Sequence, residues 1–127
     1  MVKVINQRKL GEIRREWQKR LRLQDWKIKI SFADEGFMKE VSGLEDGAYG
    51  AVEHFVEDKE AKIYILRAED WGEVEGDFGQ AVENTVVHEL LHLHFAPFQT
   101  GDESSMILQE QAIRPIADAL LELKRAK

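Results

Sequence analysis

Near the start of the chain, Leu10, Ile13, Trp17 and Leu21 recur at helical spacing, with Arg and Lys filling the opposite positions. This is one apolar face with a solvated back, and it predicts an amphipathic helix over residues 6–22. The period then changes from about 3.6 to two. In "WKIKISF", Trp26, Ile28, Ile30 and Phe32 alternate with Lys27, Lys29 and Ser31, as a half-buried strand requires. Residues 34–47 are dotted with glycines and acidic groups and predict an irregular connection. A second strand is expected through "YGAVEHFV" and a third through "AKIYILR". The short "EDKE" between them (residues 57–60) makes a hairpin turn, so the pair should be antiparallel.

Residues 67–79 are loop-like again. Asp77, followed three positions later by Gln80, is a capping-box signature for a helix starting near Phe78. That helix should stop before Pro97, because proline disfavours a helical conformation at the preceding residue. Thr100 and Glu103 repeat the signature and open a last helix through "SSMILQEQAIRPIADALLELKR", which Pro115 should kink or divide. The order is helix, strand, strand pair, helix, helix, with no repeat, low-complexity tract or linker. The whole chain, residues 1–127, is therefore expected to form a single α+β domain.

Composition narrows the chemistry. There is no cysteine among the 127 residues, so disulfides and thiolate metal sites are both excluded and any metal must sit on His, Asp or Glu. The formal charge of −6 argues against an extended nucleic-acid surface. The one basic cluster, "RREWQKRLR" from Arg14 to Arg22, is expected to be a solvated helix face. The N-terminal stretch lacks the apolar run of a signal peptide and no segment reaches the length of a membrane span, so cytoplasmic residence without a membrane partner is the expectation.

One stretch stands apart. "VVHELLHLHF", residues 86–95, places three of the chain's four histidines and a glutamate among residues that otherwise read as a buried helix. Burying such groups unpaired is unfavourable by several kcal/mol, and a metal ion is the compensation that fits their spacing. "HELLH" matches H-E-x-x-H: positions four apart share a helix face, so His88 and His92 can hold one ion. Glu89, rotated about 100° from His88, can reach a water held there without ligating. The chemistry needs this division: two neutral imidazoles fix a Zn2+ ion, an open position holds water, and the carboxylate takes the water's proton. A buried helix whose histidines hydrogen-bond to neighbouring loops is the competing structural explanation.

A catalytic zinc normally takes a third protein ligand. In the last helix Met106, Ile113, Ala117, Leu120 and Leu121 form an apolar stripe that contains Glu110. A carboxylate on such a face needs a partner, which makes Glu110 the favoured third ligand. Glu103, Asp102 and His94 are the alternatives, although His94 lies about 200° around the helix from His92. His54 shares a strand face with Val52 and Val56 and points either into the core or toward the site. Tyr49 and Tyr64 are candidates to donate to an oxyanion, with nothing to single out either.

With these residues in place, the chain resembles the glutamate-zincin metallopeptidases, whose pattern is H-E-x-x-H with a downstream glutamate. More closely, "LGEIRREW", "LQDWKIKISFAD", "VVHELLHLHF" and "EQAIRPIADAL" are similar to stretches of small zinc metallopeptidase-like proteins of phage and prophage regions. The resemblance implies a minimal zincin-like fold, with a small antiparallel sheet of about three strands packed on the active helix and an edge strand that aligns an extended peptide. It implies His88, His92 and Glu110 as zinc ligands, Glu89 as general base, and a peptide or protein as substrate. Two departures stand out. Phe95 and Phe98 replace the glycine and histidine of the metzincin extension, and Arg114 replaces the aspartate that often follows the third ligand by four residues. The short chain leaves little material to wall a cleft, so a protein partner that completes it is a further expectation. The alternative from a different class is a catalytically silent, zinc-stabilised structural or interaction protein, such as a phage assembly or regulatory component.

Overall fold

The computed structural model describes residues 5–43, 48–72, 74 and 76–126. The first helix, α1 (Gln7–Arg20), begins at Asn6, whose side chain accepts from the Lys9 amide, and buries Leu10, Ile13 and Trp17. Strand β1 (Lys27–Ala33) buries Ile28 and Ile30 and leaves Lys27 and Lys29 exposed. These follow the expected periods closely.

The connection expected over residues 34–47 is instead partly helical. Helix α2 (Glu35–Ser42) starts at Asp34, whose carboxylate accepts from the Phe37 amide, and stops at Gly43 in the left-handed region (φ 72°). It is only eight residues long and buries only Met38, too short a segment for a helical period to stand out among the glycines and acids around it. Residues 44–47 of that connection lie outside the described residues.

Strands β2 (Gly50–Phe55) and β3 (Glu60–Leu66) form the expected antiparallel hairpin. The sheet as a whole is mixed rather than antiparallel. Its order is β1-β3-β2, and β1 pairs with β3 in parallel, Ile28 opposite Ala61 and Ile30 opposite Ile63. Alternation along a strand reports which face is buried and is silent on the neighbour's direction. Here the chain leaves β1, crosses by α2 to the far edge, and returns through β3 between the other two strands. The open edge of β1 is partly covered by Gln7, whose amide donates to the Ile30 carbonyl at 2.7 Å.

After a 3-10 turn at Ala68–Asp70, helix α3 (Phe78–Phe95) starts at Asp77 as expected, that carboxylate accepting from the Gly79 amide. It gives way to a 3-10 turn at Ala96–Phe98 containing Pro97. The last helix, α4 (Glu103–Arg125), is capped by Asp102 rather than Thr100: Asp102 accepts from the Ser105 amide and from the Thr100 hydroxyl. Pro115 lies inside α4 without dividing it. The chain is thus α+β, with four helices and a three-stranded sheet among the described residues.

The main core lies between one sheet face and the helices. Ile28, Ile30, Ile63 and Ile65 meet Leu10 and Trp17 of α1 and Val82, Val86 and Leu90 of α3, while Ile113, Ala117 and Leu121 of α4 close the far side. One buried acid ties three helices together. The Trp17 indole N–H donates to Glu83 Oε2 at 2.7 Å, Arg125 Nη2 donates to Oε1 at 3.0 Å, and Lys124 reaches Oε2. Burial pushes the Glu83 carboxyl up, but the Lys124, Trp17 and Arg125 hydrogen bonds outweigh it and hold the group below its ordinary value of 4.5. A depressed folded-state value adds stability above the unfolded value and loses it as pH falls below that. Glu83→Gln is therefore expected to cost about 1–3 kcal/mol at pH 7. Urea denaturation of both chains should show the gap closing below about pH 4.

Candidate metal centre

Helix α3 buries Val82, Val86, Val87, Leu90, Leu91 and Leu93. That anchoring turns His88 and His92, one turn apart, toward α4. There the buried Ile113, Ala117 and Leu121 fix the rotation of α4 and set Glu110 opposite the two imidazoles. Glu110 Oε2 lies 3.0 Å from His88 Nε2, and Glu110 Oε1 lies 2.9 Å from His92 Nε2. Each of the three offers one ligand atom, all within 4.8 Å of one another, and they are the one such group that can hold a metal ion among the described residues. Zinc bonds of about 2.0–2.1 Å set tetrahedral ligand atoms about 3.3 Å apart, within a few tenths of an ångström of the two distances from Glu110 to the imidazoles.

The proton arrangement points the same way. His92 Nδ1 lies 2.5 Å from the Gln109 carbonyl oxygen, to which it donates its proton. Burial lowers the His92 pKa, against the raising effects of Gln109 and Glu110, so the neutral imidazole is favoured. With the proton on Nδ1, Nε2 carries a bare lone pair facing a carboxylate oxygen. Two acceptors at 2.9 Å repel unless a cation lies between them. Gln109 was not singled out from the sequence, and it supplies the partner that Arg114 cannot: it fixes the tautomer and orientation of His92, one of the three residues that could hold an ion. The available signal was its place beside Glu110 on the buried face, where only 8% of it is exposed.

Glu89 is buried, only 7% exposed, and has no place in the three-residue group. Burial, and then the charge of Glu110, push its carboxyl up to about 8. A cation on the three ligands acts in the opposite direction, offsetting Glu110 and favouring the carboxylate. Strand β2 passes directly above. A Cβ at Gly50 would lie 2.5 Å from Thr85 Cγ2, closer than side chains tolerate, and press on Glu89 at 3.0 Å from Cγ and 3.1 Å from Oε2. Glycine at 50 thus lets the strand seal one side of Glu89. Gly50→Ala should force Glu89 and Thr85 aside, costing about 1–3 kcal/mol in stability and on the order of 100-fold in any turnover that depends on Glu89. Zinc binding measured on the same variant should stay within a few-fold of the parent chain.

The group opens into a cavity of about 930 Å³, whose lining includes Tyr49, Gly50, His54, Asn84, Met106 and Arg114. His54 therefore faces the cavity. Tyr49 also lines it, stacked on Trp71 with ring centroids 4.5 Å apart. Tyr64 does not; its hydroxyl donates to Glu53 on the outer sheet face at 2.9 Å. The alternative third ligands are placed elsewhere. His94 donates from Nε2 to the Leu21 carbonyl at 2.6 Å, Asp102 caps α4, and Glu103 is exposed in its first turn. No helix among the described residues is long and apolar enough to cross a membrane. Comparison with protein-family models, curated proteins and solved structures gives no match for this chain.

Proposed function

We propose that this chain is a zinc-dependent peptide-bond hydrolase with Glu89 as its general base. The observation that carries the proposal is the convergence of His88, His92 and Glu110, whose ligand atoms lie within 4.8 Å of one another, beside a buried glutamate outside that group. His88, His92 and Glu110 would hold the ion, two nitrogens and one carboxylate oxygen being a donor set of catalytic zinc. When bound, zinc supplies a Lewis acid for the scissile carbonyl and lowers the pKa of a water toward neutrality.

The chain's own residues do the rest. Glu89 accepts the proton of the attacking water and returns it to the departing amine, a task that needs a carboxylate within hydrogen-bond reach but outside the ligand set. Gln109 holds His92 in the ligating tautomer. Strand β2 lies at the edge of the sheet and lines the cavity through Gly50 and Val52. An extended peptide can pair with its open edge through backbone hydrogen bonds, whatever the side chains. Tyr49 and His54 stand at the cavity wall, within the region where a donor to the tetrahedral oxyanion is required.

The test is hydrolysis of an unfolded protein substrate such as reduced casein by the zinc-loaded chain. Cleavage that a chelator stops and added zinc restores supports the proposal. Stoichiometric zinc with no cleavage of any unfolded substrate supports the silent, zinc-stabilised alternative.

A further inference from the structure

Helix α4 carries a second apolar face that the core does not use. Leu108, Ala112, Ile116, Ala119 and Leu123 fall within about 80° of one another around the helix. Leu108, Ile116 and Leu123 are 65%, 40% and 72% exposed. The face lies about 160° around α4 from Glu110 and so points away from the cavity. Five such positions along about 22 Å of helix are a continuous stripe rather than scattered surface residues, and stripes of this kind mark contact surfaces.

The order of residues identifies the occupant. Leu-Ala-Ile-Ala-Leu reads the same in both directions about Ile116. Two copies of α4 packed antiparallel on a two-fold axis at Ile116 would bring Leu108 within about 1.5 Å of the level of the partner's Leu123, Ala112 within about 1.5 Å of that of the partner's Ala119, and Ile116 against itself. Such self-complementarity is what a two-fold interface demands. With Ile116 at the axis and alanines on either side, the helices would pack at an ordinary interaxial distance of about 8–10 Å. Polar flanks are compatible, since Gln111 comes near the partner's Glu122 and an amide meets a carboxylate instead of a like charge. Lipid is disfavoured as occupant: Glu122 borders the stripe, and Lys124 and Arg125 are engaged by Glu83. We infer that the chain forms an antiparallel, two-fold homodimer through this face of α4. One stripe on each side, with its flanks, buries on the order of 1,000 Å², at the threshold for a specific interface, so a weak, concentration-dependent dimer is expected. The inference does not depend on the proposed hydrolase activity.

The absence of native cysteine gives a clean test. Sedimentation velocity of the full chain between about 1 and 500 µM should show a monomer converting to a dimer, with Ile116→Asp weakening the association by about tenfold or more. Under mild oxidation Ile116→Cys should cross-link to itself about tenfold faster than Leu108→Cys, whose two copies would lie about 24 Å apart along the helices. A mixture of Leu108→Cys and Leu123→Cys chains should instead give the mixed dimer. Zinc content and circular dichroism of the variants should match those of the parent. A chain that stays monomeric throughout, including one that floats with lipid vesicles as a monomer, overturns the inference. So does Leu108→Cys self-linking as fast as Ile116→Cys, which would mean a parallel or non-specific contact.

Discussion

Glu89→Gln is expected to lower peptide hydrolysis by about 10²–10⁴-fold while zinc content remains at the parent value. Glutamine keeps the shape and can still fill the space under β2, but its amide cannot accept the water's proton. Because Glu89 stands outside the three-residue ligand group, its neutralisation should leave the ion in place. Folding should not suffer either: burial disfavours the charged form, and the metal-free chain already tends to keep this carboxyl neutral at pH 7. The loss should appear in kcat rather than in KM, since proton transfer belongs to the transition state. A variant with wild-type kcat would remove Glu89 from the mechanism. Loss of zinc together with activity would mean that Glu89 supports the ion and not the water.

A larger structural effect is expected at Glu110. In the metal-free chain the Glu110 carboxylate faces the His92 Nε2 lone pair at 2.9 Å, an arrangement that costs stability without a cation. Glu110→Gln places an amide there that can donate to that lone pair. The metal-free variant should therefore unfold at the same temperature as the parent or higher. Zinc should reverse the ranking. At a hundredfold excess over the dissociation constant, zinc adds about 2.7 kcal/mol to the parent, a rise of roughly 8–13 °C for a domain of this size. The variant lacks an anionic ligand and should show little of that rise. Thermal scans of both chains, with chelator and with zinc, check the prediction. Destabilisation of the metal-free variant, or an equal zinc response in both chains, would contradict it. Trading stability for a charged binding group in this way is a common feature of functional sites.

The parts of this account that the sequence made visible share a physical cause. His88, Glu89, His92 and Glu110 are polar groups on faces that the 3.6 period assigns to the core, and such groups are costly enough to demand an explanation. The hairpin of β2 and β3 was visible because its turn and both alternating strands are local. What was hidden depended on contacts between distant segments. The parallel pairing of β1 with β3 follows from the path of the intervening chain, which alternation does not encode. Helix α2 is eight residues long, barely two turns, and offers too few positions for a helical period to be recognised. Gly50 reads as an ordinary strand glycine until Thr85 and Glu89 are seen beneath it. Gln109 is a neutral amide next to a more conspicuous acid, and its role requires the ring of His92 to be in view.

Everything functional proposed here rests on one ion that His88, His92 and Glu110 could hold. Zinc stoichiometry, measured by equilibrium dialysis followed by elemental analysis of the full chain, tests this most directly. One zinc per parent chain, with almost none retained by His88→Ala, His92→Ala or Glu110→Ala, is the predicted result. No zinc on the folded parent, or the same zinc on the parent and all three variants, would contradict the account.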